Sequence, residues 1–167
     1  RGVDAHQIDL ELRTAAFLVR SADGHYRFSH RSFLEFFLAR ALLRAVQDGQ
    51  LAQVLDTPRL SPEVIDFVSD LLDAHSSPAA ATANRAVLSA DYRPQASENA
   101  LRLGYRLTHA DVSQEWLPSK ACLRGAHLAF EDFDGLVLPE ADLSGAQLFK
   151  TRLNGAHLAG ARLDEAN

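Results

Sequence analysis

Leucine or phenylalanine recurs at every fifth position in the last third of the chain, and alanine precedes most of these residues by two positions. A period of five matches neither the 3.6 residues of an α-helix nor the 2 of a β-strand. A fixed period with one large and one small apolar position is typical of a solenoid whose large side chains fill its axis. The series consists of Leu123, Leu128, Phe133, Leu138, Leu143, Leu148, Leu153, Leu158 and Leu163.

The chain before residue 50 changes between helical and strand periods. Residues 4–16 carry apolar side chains at helical spacing and predict a helix. Residues 17–28 alternate on either side of an Asp-Gly pair, which predicts a hairpin. Residues 30–48 predict a second helix, closed by Gly49.

Residues 50–110 predict a helical segment. Ser61 is a predicted N-cap, because proline follows it at the first helical position and an apolar stripe comes next. Two further helices are predicted over residues 76–90 and 95–110.

The aromatic residues that follow these helices are expected to join them to the repeats. Tyr105, Trp116 and Leu117 are predicted to pack over the first repeats, with a hinge in the three residues that start at Trp116. His75 and His109 lie near predicted helix ends, and we interpret both as caps. No Cys, His or Asp partner shares their spacing, so no metal site is predicted.

Two polar residues stand in the apolar stretch of residues 28–37. Glu35 lies on the apolar side of the predicted helix and needs an arginine or backbone amides as a partner. His30 stands where the helix begins, followed by Arg31 and Ser32. The free N–H groups and positive dipole of a helix start favour anions there. From these residues alone, His30 is either a helix cap or a phosphate ligand.

Composition limits the functional classes. The net charge is −5, with the acidic excess in residues 51–167, which disfavours nonspecific binding to nucleic acid or anionic membranes. No apolar run is long enough to cross a bilayer. The single cysteine, Cys122, suits a reducing compartment, so we expect a cytoplasmic location. The chain starts without methionine and stops within a repeat, so we expect it to be a piece of a longer protein.

Residues 121–167 resemble the pentapeptide-repeat family, whose unit is written A-(D/N)-L-x-x. The resemblance implies a right-handed quadrilateral β-helix with four units per coil and a function on its outer faces. Some members of this family mimic DNA and bind topoisomerases. Glu131, Leu136 and Thr151 depart from the small-residue position, and the first two predict a bulge in one coil.

Residues 26–39 resemble a second family, the NACHT-type STAND NTPases. In that family, the end of the winged-helix domain reads aromatic-x-F-x-H-x-x-F-x-E-[FY]-[FL]-x-A. The resemblance covers about residues 5–45. The matching residues are Tyr26, Phe28, His30, Phe33, Glu35, Phe36, Phe37 and Ala39.

This second resemblance implies a role for His30 as the residue that contacts the ADP phosphate in the closed state. Arg31 and Ser32 are weaker candidate ligands, as part of the anion-favouring helix start. ADP or ATP would bind an upstream nucleotide-binding domain of the same protein. The chain has no G-x-x-x-x-G-K-[ST] loop, so we expect no catalytic residue and no ATP hydrolysis here.

The sequence therefore predicts an α + β-solenoid chain. Residues 1–49 would end a winged helix, 50–112 form a helical domain and 113–167 begin the pentapeptide β-helix. The predicted function is the regulatory and sensor segment of a bacterial, innate-immunity-like NTPase whose repeats bind a protein trigger, with oligomerisation on activation. The alternatives are a DNA mimic acting on a topoisomerase and a plain structural scaffold.

Overall fold

A computed structural model describes residues 17–72, 77–110 and 114–167. The described chain begins with an antiparallel hairpin of two short strands, β1 (Leu18–Arg20) and β2 (Tyr26–Phe28). Gly24 has a φ of +87° in the connecting turn, as the Asp-Gly pair predicts. The predicted helix over residues 4–16 and the histidine cap at residue 75 lie outside the described residues.

Five helices follow the hairpin in the part of the chain that the structure describes. The predicted boundaries of the first are confirmed, since it follows His30 and ends before Asp48, with Gly49 at a φ of +67°. The predicted N-cap of the third is also confirmed, because Ser61 Oγ accepts the Val64 N–H. The helices are α1 (Arg31–Gln47), α2 (Leu51–Val54), α3 (Pro62–Leu71), α4 (Ser77–Ser89) and α5 (Pro94–Ala110).

Residues 121–167, here called the repeat stack, are joined by backbone hydrogen bonds between residues about twenty positions apart. Isolated parallel β-bridges pair Cys122 with Asp142 and His127 with Gln147, and three more continue at the same spacing. Four five-residue units therefore separate each residue from its partner. The predicted bulge at Glu131 and Leu136 is wrong, because the bridges beside them keep this spacing.

The predicted fold class, an α + β-solenoid with a quadrilateral β-helix, is wrong. The described residues contain five helices and a single two-stranded sheet, and the repeat stack forms no strand. The physical reason is the turn that closes each unit, such as Gly125 at a φ of +75° or Phe130 at +63°. These turns leave one bridged residue per unit, which is too short a run for a strand. The described chain is predominantly helical.

The hydrophobic core runs without a break from Ala39 in α1 to Ala146 in the repeat stack. The Tyr105 ring packs edge-on against Phe133, with 5.2 Å between the ring centroids, and its hydroxyl donates to the Asp134 carbonyl. The predicted packing of Tyr105 on the repeats is thus confirmed. The predicted division into domains at residues 49 and 112 stays a prediction.

A glycine in α5 lets the segment around Trp116 cross that helix closely. The Trp116 side chain is 1% exposed, and its carbonyl accepts a hydrogen bond from Asn84 Nδ2 at 3.0 Å. A Cβ atom at Gly104 would lie 2.6 Å from Leu117 Cδ2 and 2.7 Å from Asn84 Nδ2. The predicted hinge is therefore held against α5 by direct packing.

Replacing Gly104 by alanine is expected to lower the free energy of unfolding by up to about 2 kcal/mol. The higher helix propensity of alanine contributes about 1 kcal/mol in its favour, but overpacking costs about 1–3 kcal/mol. Urea denaturation measures the change, with Gln95→Ala on the exposed side of α5 as the control. A Gly104→Ala variant as stable as the wild type would show that the crossing is looser than described.

Candidate functional site

His30 caps α1 and keeps its ring exposed. Its Nδ1 accepts the Ser32 backbone N–H at 3.2 Å and also contacts the Ser32 hydroxyl. An Nδ1 that accepts a backbone N–H carries no proton, so the neutral ring holds its proton on Nε2. Of the two roles left open by the sequence, the cap is observed, and it leaves Nε2–H as the available donor.

Arg31 and Glu35 form an ion pair across the first turn of α1. Arg31 Nε donates to Glu35 Oε1 at 2.7 Å, and the glutamate is 7% exposed. Ser61 Oγ donates to the same carboxylate oxygen at 3.2 Å, which ties the start of α3 to α1. The prediction of an arginine partner for Glu35 is confirmed, and Arg31 is engaged in that pair.

An open cavity of about 510 Å³ lies between the starts of α1 and α3, and acidic residues dominate its lining. Glu35, Glu63, Asp66 and Asp70 supply four carboxylates, whereas Arg31 is the one arginine among the lining residues. A phosphate inside this cavity would be repelled. An anion that contacts His30 therefore has to approach along the exposed helix start.

The carboxyl group of Glu63 is stabilised in its charged form. A hydrogen bond from its own backbone N–H lowers the pKa of Glu63 below its usual range. Glu63 therefore keeps its negative charge at neutral pH.

In residues 17–72, 77–110 and 114–167, no group of three or more His, Cys, Asp or Glu side chains is arranged to hold a metal ion.

The lone histidine at the end of α5 folds back onto its own helix. His109 Nδ1 bonds to the Tyr105 carbonyl one turn earlier at 2.9 Å, and the two rings pack edge to face. The Tyr105 carbonyl already has a partner inside the helix, so the role of His109 as a cap stays a prediction.

A buried charge network joins the helices to the repeat stack, and sequence reasoning missed it. Arg102 Nε donates to Glu131 Oε1 at 2.9 Å, and both side chains are almost fully buried. Arg59 from the α2–α3 loop donates to the other carboxylate oxygen at 2.9 Å. The sequence does contain a signal for this network, because Glu131 stands where most units have alanine and a charge at that buried position requires partners.

The helices also supply hydrogen-bond partners to the backbone N–H groups at the edge of the first repeats. Glu98 accepts the His127 backbone N–H at 2.8 Å and lies 3.6 Å from Arg102 Nη2. The Cys122 N–H donates to the Leu88 carbonyl at the end of α4. Later residues at the equivalent positions donate to the preceding turn of the stack, so the helices replace that missing turn.

Tyr92 completes the network from the loop before α5. Its hydroxyl donates to Glu98 at 2.7 Å. Burial raises the pKa of Tyr92 strongly, and the hydrogen bond to Glu98 and its negative charge raise it further. The phenol therefore remains a donor throughout the physiological range.

The repeat pattern has a match among known families. Residues 119–155 and 141–167 match the family described as pentapeptide repeats, with eight copies. Residues 119–167 are pentapeptide repeats. Repeats of this kind serve as protein-interaction or structural modules, and this assignment concerns the final part of the chain.

The other comparisons give no relative for the preceding helices. No curated protein and no solved structure matches the chain. The match to pentapeptide repeats begins after the hinge at Trp116, so the resemblance of residues 26–39 to NACHT-type NTPases stays a prediction. Among the described residues, no helix combines the length and apolar character needed to cross a membrane.

Restoring the family's alanine at Glu131 is expected to destabilise the protein. The Glu131→Ala change removes the partner of buried Arg102, and breaking such a pair costs about 3–5 kcal/mol. Adding Arg102→Met should recover part of the loss, because it removes the unpaired guanidinium while Glu98 keeps Tyr92 and the His127 N–H as partners. Urea denaturation measures both variants.

Thr151→Ala is the matched control, because Thr151 stands at the same position one stack turn later. Its hydroxyl donates to the Leu128 carbonyl at 2.7 Å, so its loss should cost about 1 kcal/mol. Equal effects of Glu131→Ala and Thr151→Ala would refute the special role of the charge network.

Proposed function

We propose that this chain is the regulatory and sensor segment of a NACHT-like, nucleotide-switched signalling NTPase. Its pentapeptide repeats would be the surface that recognises a protein partner or trigger. The observation that carries the proposal is the placement of His30 at an exposed helix start, with Nδ1 bound to Ser32 and Nε2–H directed elsewhere. The motif of residues 26–39 supports the same assignment.

His30 would supply one contact to a nucleotide phosphate through Nε2–H. The residues around it do not fit a complete nucleotide site, because carboxylates line the adjoining cavity. Arg31 Nε is held by Glu35, and the Ser32 N–H is held by His30, so these two residues contribute less than the sequence predicts. The remaining phosphate ligands would belong to an upstream domain of the same protein.

The helices provide a direct connection between His30 and the repeats. Glu35, one turn after His30, accepts the hydroxyl of Ser61, and Arg59 two residues earlier binds Glu131 in the repeat stack. A partner bound to the repeats could shift the nucleotide-holding state only by binding the open state more tightly. These contacts would couple the repeats to the helix start, because displacement of Glu131 would pull on Arg59 beside the start of α3.

The surface charge of the repeats weighs against a DNA mimic, which needs rows of free acidic groups. Asp132 and Asp134 both pair with Arg152, and the Arg162 guanidinium pairs with Asp164. These pairs neutralise the acidic groups along the faces where a mimic would present them. The protein-partner proposal requires no such row.

Two changes at His30 separate a nucleotide contact from a helix cap. Asparagine is a good N-cap and cannot place a donor where Nε2 lies, whereas alanine removes both functions. In the protein that carries the nucleotide-binding domain, His30→Asn should release a fluorescent ADP analogue about tenfold faster or more, since a hydrogen bond to a charged group contributes about 1.5–3 kcal/mol.

The His109→Ala variant is the control, because His109 also lies at a helix end. It should leave ADP release unchanged. Wild-type release rates in both His30→Asn and His30→Ala would remove His30 from nucleotide sensing. Faster release in His30→Ala alone would assign the effect to the lost cap, and that outcome would also contradict the proposal.

A further inference from the structure

Two exposed aromatic rings meet at one corner of the repeat stack. Phe130 is 66% exposed and Phe149 is 55% exposed, and their ring centroids lie 5.6 Å apart in an edge-to-face arrangement. The Phe130 N–H donates to the Phe149 carbonyl, so backbone hydrogen bonding between consecutive turns holds the two residues side by side. Aromatic side chains are enriched in protein interfaces.

Lys150 adds a charge to this corner. Its ammonium group lies 5.2 Å from the Phe149 centroid and 5.8 Å from the Phe130 centroid. In the part of the chain that the structure describes, Lys150 forms no ion pair with a carboxylate, whereas Lys120 pairs with Glu140 at 3.2 Å. The corner therefore presents an apolar surface beside a positive charge that a partner could neutralise.

The backbone at this corner favours glycine, yet it carries bulky residues. Phe130 has a φ of +63° and Lys150 a φ of +56°. Five other units have glycine at the equivalent position, where positive φ brings no strain, while Glu140 at +55° and Glu165 at +61° share the strained conformation. Positive φ is therefore not confined to this corner, and what distinguishes the corner is its pair of exposed rings beside an ammonium group.

We propose that the corner formed by Phe130, Phe149 and Lys150 is the protein-docking surface of the repeats. Its partner would be a peptide segment that places a carboxylate next to an aromatic or large aliphatic side chain. The carboxylate would pair with Lys150, and the apolar side chain would pack on the two rings. The inference rests on the proposed interaction function of the repeats and names the surface and the chemistry that it recognises.

A phage-displayed library of random 12-residue peptides is the probe, panned against the whole chain. Enriched peptides should carry Asp or Glu within two residues of Phe, Trp, Tyr, Leu or Ile. The affinity of a synthetic copy is then measured by fluorescence polarisation. Phe130→Gly and Phe149→Ser should each weaken binding about tenfold or more, as expected for aromatic anchors, and Lys150→Gln should weaken binding several-fold.

Stability distinguishes a binding role from a structural one. Phe130→Gly relieves the strain of a positive φ, so its melting temperature should equal or exceed that of the wild type while binding is lost. Val137→Thr is the matched control, because Val137 is 55% exposed on another face of the stack. It should change neither binding nor melting temperature.

The outcomes separate this inference from the proposed function. Enriched peptides that bind Phe130→Gly and Phe149→Ser as tightly as the wild type would overturn this corner as the surface, while leaving an interaction function for the repeats. Peptides with lysine or arginine in place of the carboxylate would overturn the partner chemistry. A panning that enriches no peptide would overturn the inference and count against the interaction function as well.

Discussion

The ion pair between Arg102 and Glu131 is the interaction on which the rest of the architecture depends. The guanidinium comes from α5 and the carboxylate from inside the repeat stack, and both side chains are almost fully buried. Neither charge could remain buried without the other. Together with Arg59 and Glu98, this pair balances the charge where the helices meet the repeat stack. The Leu88 carbonyl and the Glu98 carboxylate accept backbone N–H groups at the edge of the first repeats.

This join explains how a short stack of repeats can exist in a mostly helical chain. An open stack exposes N–H groups at its first turn, and exposed backbone edges invite aggregation. The Leu88 carbonyl and the Glu98 carboxylate satisfy two of these groups, while Tyr105 covers Phe133. Arg59, which binds Glu131, stands two residues before Ser61, and Ser61 donates to Glu35, so the helices that cover the stack also carry the candidate sensor at His30.

Local patterns predicted much of this structure because they depend on neighbouring residues. The hairpin turn at Gly24, the N-cap at Ser61 and the helix end at Gly49 follow from steric and hydrogen-bonding rules over four or five positions. The arginine partner of Glu35 lies one helical turn away. The fold class was wrong because the resemblance to pentapeptide repeats implied a β-helix, whereas the turn at every fifth residue leaves only isolated bridges. The charge network was missed because Arg59, Arg102 and Glu131 are far apart in sequence. The acidic lining of the cavity near His30 was missed for the same reason, because it depends on how α1 and α3 pack together.

The helices and the repeat stack are expected to unfold as one cooperative unit, because the contact between them is buried and charged. Trp116 is the only tryptophan of the chain and lies at this join, so its fluorescence reports the join while far-ultraviolet circular dichroism reports the helices. Urea unfolding followed by both signals should give a single transition with the same midpoint. A fluorescence change at lower urea, with helical ellipticity intact, would show that the repeats separate first and would contradict the account.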